Sequence, residues 1–226
     1  MPHPSFHLVP AHETNRASLQ TSPLLLFGKG SQPGAKKGAI VRKLSTMDSS
    51  AILLFEDETI LRLFPLLRRA WSLSGEPATI GITGQNAKRV LFGTINVRTG
   101  HRIAMLYPAL KQSGFQEFLR LIRRSYTWRP ITILLDAASA HTAPASRALA
   151  ITLNIELIWL PKQCPELNTM DHLFKAVKAD ISANHQYKNI DQHATHAKDY
   201  ILKLSYKQAR KLAGILSKNF WLRNLL

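Results

Sequence analysis

The stretch "ITILLDAASAH", residues 131–141, combines a buried strand with a polar site. Its first five residues are apolar or β-branched, which is typical of a strand covered on both faces of a sheet. Asp136 follows directly, with small residues and then His141 behind it. A single acid at such a place is commonly a turn former. Its meaning therefore depends on whether other acids reach the same end of the sheet.

The order of the predicted elements indicates an α/β protein with a mixed sheet. "AILLFED", residues 51–57, is a second apolar run that ends in acids. Further strands are predicted in "PATIGITG" (77–84), "KRVLFGTINV" (88–97) and "RIAMLYP" (102–108), and these early strands can pair as a meander. Helices separate the later strands, and strands joined through helices form right-handed parallel units. A mixed sheet with helices on both faces satisfies both constraints.

Three regions are predicted along the chain. Residues 1–50 are rich in Pro, Ser, Gly and Lys without a sustained helical period, which indicates a basic, partly disordered N-terminal arm. Residues 51–185 form the α/β core, in which a small-residue helix begins near Pro144 and a later helix begins at Asn168. Residues 186–226 are predicted to be a Lys-rich, helical C-terminal tail.

The composition favours a polyanionic partner. Thirty Lys and Arg residues face fourteen Asp and Glu residues among 226, which gives a formal net charge of +16. A surface of this charge attracts nucleic acid first and anionic membrane second. Cys164 is the single cysteine, no apolar run reaches the length of a membrane span, and no secretory signal is recognised. We therefore expect a cytoplasmic, nucleoid-associated protein.

Three acids occupy positions that suit a metal site: Asp57 after the first predicted strand, Asp136 after the central strand, and Asp171 in the first turn of a later helix. Neighbouring strands open their carboxyl ends into a common crevice. Two carboxylates 4 Å apart repel by about 4 kcal/mol at an effective dielectric near 20, so protonation or a divalent cation must offset the repulsion. Oxygen ligands select Mg²⁺ or Mn²⁺. Each acid alone also has a structural interpretation, as a turn former or as a partner of the helix dipole.

Three sequence blocks carry a family resemblance. "LLFEDET" (53–59), "ILLDAASAH" (133–141) and "WLPKQCPELNTMDHLFKAVK" (159–178) resemble the catalytic blocks of the mariner-superfamily insertion-sequence transposases, which have a DDE/DDD core. The most specific piece is "PELN" followed by an acid, a His and "LF", and 34 residues separate Asp136 from Asp171. The resemblance covers roughly residues 40–181.

The resemblance implies a fold and a set of site residues. The fold would be a ribonuclease-H-like mixed sheet flanked by helices on both faces. Two Mg²⁺ or Mn²⁺ ions would be bound by the catalytic residues Asp57, Asp136 and Asp171. Supporting roles would fall to Glu58, His141 and His172, and DNA contacts to Lys162, Lys175 and Lys178. The chain departs from the family pattern at Ala137, a frequent Asn, and at Asp171, where bacterial relatives usually have Glu.

The resemblance also implies an activity and partners. The chain would hydrolyse phosphodiesters at transposon ends and transfer the freed strand into target DNA, with a homodimer as the active complex. The family's helix-turn-helix region does not fit residues 1–50, so either a separately encoded half supplies it or the chain is a truncated copy. Two alternatives stay open: a ribonuclease-H-like nuclease without strand transfer, and an inactive remnant that only binds DNA.

Overall fold

The structure is a computed structural model and describes residues 33–74, 76 and 78–225. Its strands are β1 (Ile52–Arg62), β2 (Lys88–Asn96), β3 (Arg102–Tyr107), β4 (Ile131–Leu135) and β5 (Ile155–Trp159). Its α-helices are α1 (Pro33–Ser45), α2 (Gln112–Ser125), α3 (Ser139–Thr142), α4 (Pro144–Thr152), α5 (Thr169–Val177), α6 (Ile190–Lys203) and α7 (Tyr206–Leu212). Short 3₁₀ turns span Pro165–Leu167 and Arg223–Leu225, and a π-helical turn spans Lys178–Ser182.

The five strands form one mixed sheet in the order β3-β2-β1-β4-β5. The first three strands pair antiparallel as a meander, while β1–β4 and β4–β5 pair in parallel. All five residues of β4 are buried, as expected for a strand with a neighbour on each side and helices over both faces. The predicted α/β class and the mixed sheet are therefore confirmed.

Alternation along β1 divides the core into two layers. Leu53 and Phe55 point towards the layer that α1, α5, α6 and α7 cover, whereas Ile52 and Leu54 point towards the layer under α2, α3 and α4. Helices thus cover both faces of the sheet. Among the described residues, no helix has the length and apolar character that crossing a membrane requires.

Two expectations about the less regular parts of the chain are wrong. Residues 33–45 form α1, whose Ile40 and Leu44 are buried in the core. The sequence did not predict this helix, because its few apolar residues do not form a sustained helical period. Residues 1–32 of the predicted arm lie outside the described residues. The described part of "PATIGITG" contains no strand, because β1 and β3 already occupy both edges of β2 and Ile82 is exposed.

The C-terminal helices pack as part of the core. Ala194, Ala197 and Ile201 of α6 and Ala209 of α7 are fully buried in the same cluster as Phe55. The buried Arg102 of β3 reinforces this packing, since its guanidinium donates to the carbonyl oxygens of Ile201 and Leu202 at the end of α6. Packing therefore continues across the boundary that the sequence predicts at residues 185/186.

A glycine in β2 lets α5 lie close to the sheet. Gly93 is the register partner of Asp57, and a Cβ atom at Gly93 would lie 2.6 Å from the Cε atom of Met170 and 3.0 Å from the Cζ atom of Phe174. Both contacting side chains belong to α5, the helix that carries Asp171. A larger residue at position 93 would have to displace the end of the Met170 side chain and the ring of Phe174.

We predict that Gly93→Val lowers the free energy of unfolding by about 1–3 kcal/mol, the usual cost of overpacking a filled core. The matched control is Gly81→Val, because a Cβ atom there meets nothing within 4 Å. The control should change the free energy by less than about 0.5 kcal/mol. Urea denaturation measures both, and equal losses in the two variants would contradict the close approach.

Candidate active site

The register between β1 and β4 brings Asp57 and Asp136 to the same level. Phe55 pairs with Leu134, so the residues two positions further along the parallel strands are Asp57 and Asp136. The sequence predicted that β1 ends before Asp57, and this is wrong. β1 continues to Arg62 with β2 as its partner. β4 ends at Leu135, and the edge of β1 beside Asp57 is therefore open.

Asn168 fixes the third acid relative to the first. Its Oδ1 atom accepts a hydrogen bond from the Met170 backbone N–H at 3.1 Å and caps α5. Its Nδ2 group donates to the backbone carbonyl oxygen of Glu56 at 2.9 Å. This buried side chain therefore ties the first turn of α5, with Asp171, to the residue next to Asp57 in β1.

The three aspartates line one cavity of about 490 Å³, which we call the acidic cavity. One wall is the loop after β5, which turns through Gln163 with a positive φ of 59°. The side chain of Asp171 is 28% exposed and that of Asp136 58% exposed, so both can meet a ligand from solvent. The lining includes Asp57, Glu58, Asp136, Lys162, Cys164, Asn168 and Asp171.

Electrostatic crowding changes the acidity of the aspartates. Burial, followed by the charge of Glu58 and more weakly those of Asp136 and Asp171, raises the pKa of Asp57 to about 7. The pKa of Asp136 is lowered instead, chiefly because His141 donates a hydrogen bond to its carboxylate. Near neutral pH, a cation can therefore replace the proton of Asp57.

His141 lies behind the acidic cavity between carboxylates from two strands. Its Nδ1 atom is 2.9 Å from Asp136 Oδ1, and its Nε2 atom is 3.3 Å from Glu58 Oε2 and 3.6 Å from Glu56 Oε2. Burial alone would lower the pKa of His141, but Glu56, Asp136 and Glu58 raise it to about 11. The neighbouring carboxylates therefore favour the protonated form of the ring, whose charge would offset part of theirs.

The other predicted site residues divide into two groups. Glu58 and Lys162 line the acidic cavity, and Lys175 reaches its edge through an ion pair of 2.7 Å with Asp171. His172 lies elsewhere, with its Nδ1 atom near the position that a Cβ of Gly214 would take. Lys178 lines a separate groove beside Ile60 and His193.

Glu56 is the residue that the sequence analysis missed. It is fully buried, neither carboxylate oxygen accepts a hydrogen bond from the described residues, and burial raises its pKa well above the usual range. Glu56, Glu58 and His141 offer possible ligand atoms within 4.8 Å of one another. Strand alternation was the available signal, since it places Glu56 and Glu58 on one face of β1 and Asp57 on the other.

Comparison with known proteins identifies the family. The family model described as "DDE superfamily endonuclease" matches residues 52–193, which is more than half of the chain. The chain belongs to the DDE superfamily endonucleases. The matched range contains all three aspartates and each of the three sequence blocks.

Two curated bacterial relatives extend the likeness. The insertion element IS630 uncharacterized 39 kDa protein of Shigella sonnei is 26% identical over 160 residues, which cover 70% of this chain and 46% of the relative. The uncharacterized protein y4pE/y4sA of Sinorhizobium fredii is 29% identical over 107 residues, which cover 47% of this chain and 77% of the relative. The chain thus spans about half the length of the Shigella relative.

Solved structures confirm the predicted ribonuclease-H-like fold. The Mos1 transposase paired-end complex with left transposon end matches with a TM-score of 0.66 at 15% identity, over 93% of this chain and 67% of the other. The catalytic domain of the Mos1 mariner transposase matches with a TM-score of 0.54 at 15% identity, over 85% of this chain and 91% of that domain.

We predict that metal-free protein loses stability as the pH rises through 7. The pKa of Asp57 is about 7 in the folded chain and about 3.9 in an unfolded one, so the folded state holds the extra proton between these values. This contribution is complete below about pH 4 and is lost through about pH 7. Urea denaturation in the presence of a chelator, from pH 5 to 8, measures the slope.

Two comparisons isolate the contribution of Asp57. Asp57→Asn should flatten the slope, whereas Asp199→Asn, at a 40% exposed side chain, should leave it unchanged. Mg²⁺ should raise the melting temperature of the unsubstituted chain more at pH 8 than at pH 5.5, because metal binding requires ionised carboxylates. An identical slope in the Asp57→Asn variant would refute the assignment.

Proposed function

We propose that this chain is the catalytic core of a DDE/DDD transposase of the mariner superfamily. It would hydrolyse phosphodiesters at transposon ends and then transfer the freed strand into target DNA. The observation that carries the proposal is that Asp57, Asp136 and Asp171, the acids of the three family blocks, line one cavity in a DDE superfamily endonuclease. Mos1 transposase, which shares the fold, has been solved in a Strand Transfer Complex.

The donor set of the acidic cavity fits Mg²⁺ or Mn²⁺. The three aspartates supply only carboxylate oxygens, which are the ligands that both ions prefer. The raised pKa of Asp57 is a second observation in favour, because a cation relieves the crowding that holds its proton. Mos1 structures contain Mg and Mn. We propose that Asp57, Asp136 and Asp171 together hold two such ions, which would supply Lewis-acid activation of the nucleophile and stabilisation of the leaving oxygen.

The side chains around the aspartates would orient the DNA. Lys162 lines the same cavity with an exposed side chain and can bind a phosphate oxygen beside the acids. Lys175 is paired with Asp171, so a cation at Asp171 would release its ammonium group towards the DNA backbone. In the first step water adds to phosphorus and the 3′ oxygen leaves with a proton. In the second step that 3′-hydroxyl attacks a target phosphodiester, whose own 3′ oxygen leaves.

The two alternatives differ in which step survives. A nuclease without strand transfer would cleave in the presence of metal but would not join ends, because fold and acids do not by themselves determine the acceptor. An inactive remnant would bind DNA through its net charge of +16 without cleaving it. A single assay with Mg²⁺, terminal-repeat DNA and a target duplex distinguishes all three.

We predict that Asp57→Asn and Asp136→Asn each reduce Mg²⁺-dependent cleavage at least about 100-fold, because a ligand essential to metal-assisted displacement is lost. DNA affinity should change little, since the basic surface that contacts phosphates is intact. Asp191→Asn, whose partner is Arg89 outside the cavity, is the matched control and should cleave normally. Cleavage and filter-binding assays measure the two properties, and a parallel loss of binding and cleavage with the fold preserved would contradict the assignment.

Lys162→Ala tests the proposed DNA contact, and here DNA binding is the property that should weaken. If Lys162 binds a phosphate, the variant should bind all duplexes more weakly. Its log–log salt dependence should become shallower by about 0.9, the contribution of one phosphate contact. Lys203→Ala is the control, because Lys203 pairs with Asp199 within α6 and does not line the acidic cavity. An unchanged salt slope in the Lys162→Ala variant would remove this residue from the interface.

We also propose the homodimer and the DNA-bound state that the resemblance implies. The segment that joins β1 to β2 supports a second copy as partner, because it exposes several large apolar side chains whose burial between two copies would oppose the repulsion of their like net charges. These are Phe64, Leu67, Trp71, Leu73 and Ile82. A separately encoded helix-turn-helix half would provide recognition of transposon ends, and the assembly would act at the nucleoid.

If the protein forms this dimer, a single substitution in the exposed apolar segment should lower its mass in solution towards that of a monomer. Trp71 is fully exposed, so Trp71→Ser should leave the fold unaltered while weakening self-association. Trp128→Ser, at an equally exposed tryptophan on the opposite end of the sheet, is the control. Analytical ultracentrifugation with and without terminal-repeat DNA measures the mass, and a monomer under all conditions would contradict the homodimer.

A further inference from the structure

His141 occupies a position that neither fold nor packing requires to be a histidine. Its side chain is fully buried, and its ring lies 4.4 Å from that of Phe115 in the apolar layer beneath the sheet. Both ring nitrogens nevertheless face carboxylates, with Asp136 on one side and Glu58 and Glu56 on the other. Placing an ionisable group and a fully buried Glu56 in this layer costs free energy that an apolar pair would not.

Asp136 is held through one of its two carboxylate oxygens, and His141 Nδ1 also lies 3.3 Å from its backbone carbonyl oxygen. Asp136 Oδ1 accepts hydrogen bonds from the backbone N–H of Ala138 at 3.0 Å and from His141 Nδ1 at 2.9 Å. Within the described residues, no hydrogen bond engages Oδ2. The two donors therefore fix the carboxylate plane by one oxygen and leave the other available in the acidic cavity.

The far side of the ring faces two carboxylates of β1 at ion-pair distance, and Nε2 makes no hydrogen bond to the described residues. Glu58 Oε2 and Glu56 Oε2 lie 3.3 and 3.6 Å from Nε2, and both residues are on the face of β1 opposite Asp57. His141 consequently links the strand that carries Asp57 to the carboxylate that follows β4. A displacement of either strand would be transmitted through the ring to Asp136.

We propose that His141 is a positioning residue for Asp136: its Nδ1–H orients the carboxylate towards the metal, and Glu56 and Glu58 hold the ring through Nε2. The inference rests on the proposed function and deepens it, because it assigns a role to a buried cluster behind the cavity. Partners that orient a metal ligand typically change metal affinity or activity by about 10- to 100-fold when they are removed.

Two amide substitutions separate the halves of this link. In His141→Asn the amide nitrogen takes the place of Nδ1 and can still donate to Asp136. In His141→Gln the amide nitrogen takes the place of Nε2, so the variant keeps the contact with Glu58 and loses the one with Asp136. A residue that only fills space would tolerate the two amides in order of size, with no relation to the metal.

Mn²⁺ affinity of the full chain, measured by the loss of the free-ion electron paramagnetic resonance signal, is the primary readout. We expect His141→Gln to weaken Mn²⁺ binding at least about tenfold and His141→Asn to weaken it clearly less. In cleavage assays the His141→Gln variant should need more Mn²⁺ for half-maximal rate and recover rate at saturating Mn²⁺. His193→Gln is the control, because His193 is buried but binds Ser182 and the Arg62 carbonyl away from the cavity.

The outcomes distinguish the inference from the proposed function. Equal Mn²⁺ affinities in His141→Asn and His141→Gln, or a change matched by His193→Gln, would overturn the positioning role while leaving the proposed function intact. An unsubstituted chain that neither binds Mn²⁺ nor cleaves DNA would overturn both. If the single variants do not fold, the comparison is made in a Glu58→Gln background, where the amide of Gln can hydrogen-bond to the amide introduced at position 141.

Discussion

The structure depends on the crowding of carboxylates at one end of the sheet. β1 places Glu56, Asp57 and Glu58 in succession, and the parallel register with β4 sets Asp136 beside them. Such a group is stable only if cations or protons offset the repulsion. The protein supplies part of the offset through the buried ring of His141 and the ion pair between Lys175 and Asp171. The raised pKa of Asp57 indicates that this offset is incomplete, and we propose that divalent metal completes it.

The two faces of β1 divide the work between chemistry and support. Asp57 faces the layer of α5, where Gly93 permits the close approach of the helix and Asn168 anchors its first turn to the Glu56 carbonyl. Glu56 and Glu58 extend the opposite face, where the ring of His141 lies against them. Asp136 follows the last residue of β4 and therefore takes part in both arrangements. β1 thus contributes one proposed ligand, Asp57, from one face and two carboxylates that face the ring of His141 from the other.

The sequence was sufficient for features that depend on local pattern. Uniform apolar character predicts β4, Asn168 marks the start of α5 with Asp171 in its first turn, and acids at the ends of apolar runs single out Asp57 and Asp136. It was insufficient where tertiary packing decides. α1 depends on burying Ile40 and Leu44 against distant elements, and residues 78–84 do not join β2, whose two edges pair with β1 and β3. Glu56 was missed because its partner His141 is 85 residues away and is brought near only by the β1–β4 register.

The most direct test of the shared metal site is an anomalous difference map from a crystal of the full chain soaked in Mn²⁺ at neutral pH. The account predicts peaks in the acidic cavity at about 2.1 Å from carboxylate oxygens, with Asp57, Asp136 and Asp171 all contributing ligands. It also predicts that Nε2 of His141 still faces Glu58 with no ion between them. A Mn²⁺ peak enclosed by Glu56, Glu58 and His141, with none touching the three aspartates, would contradict it.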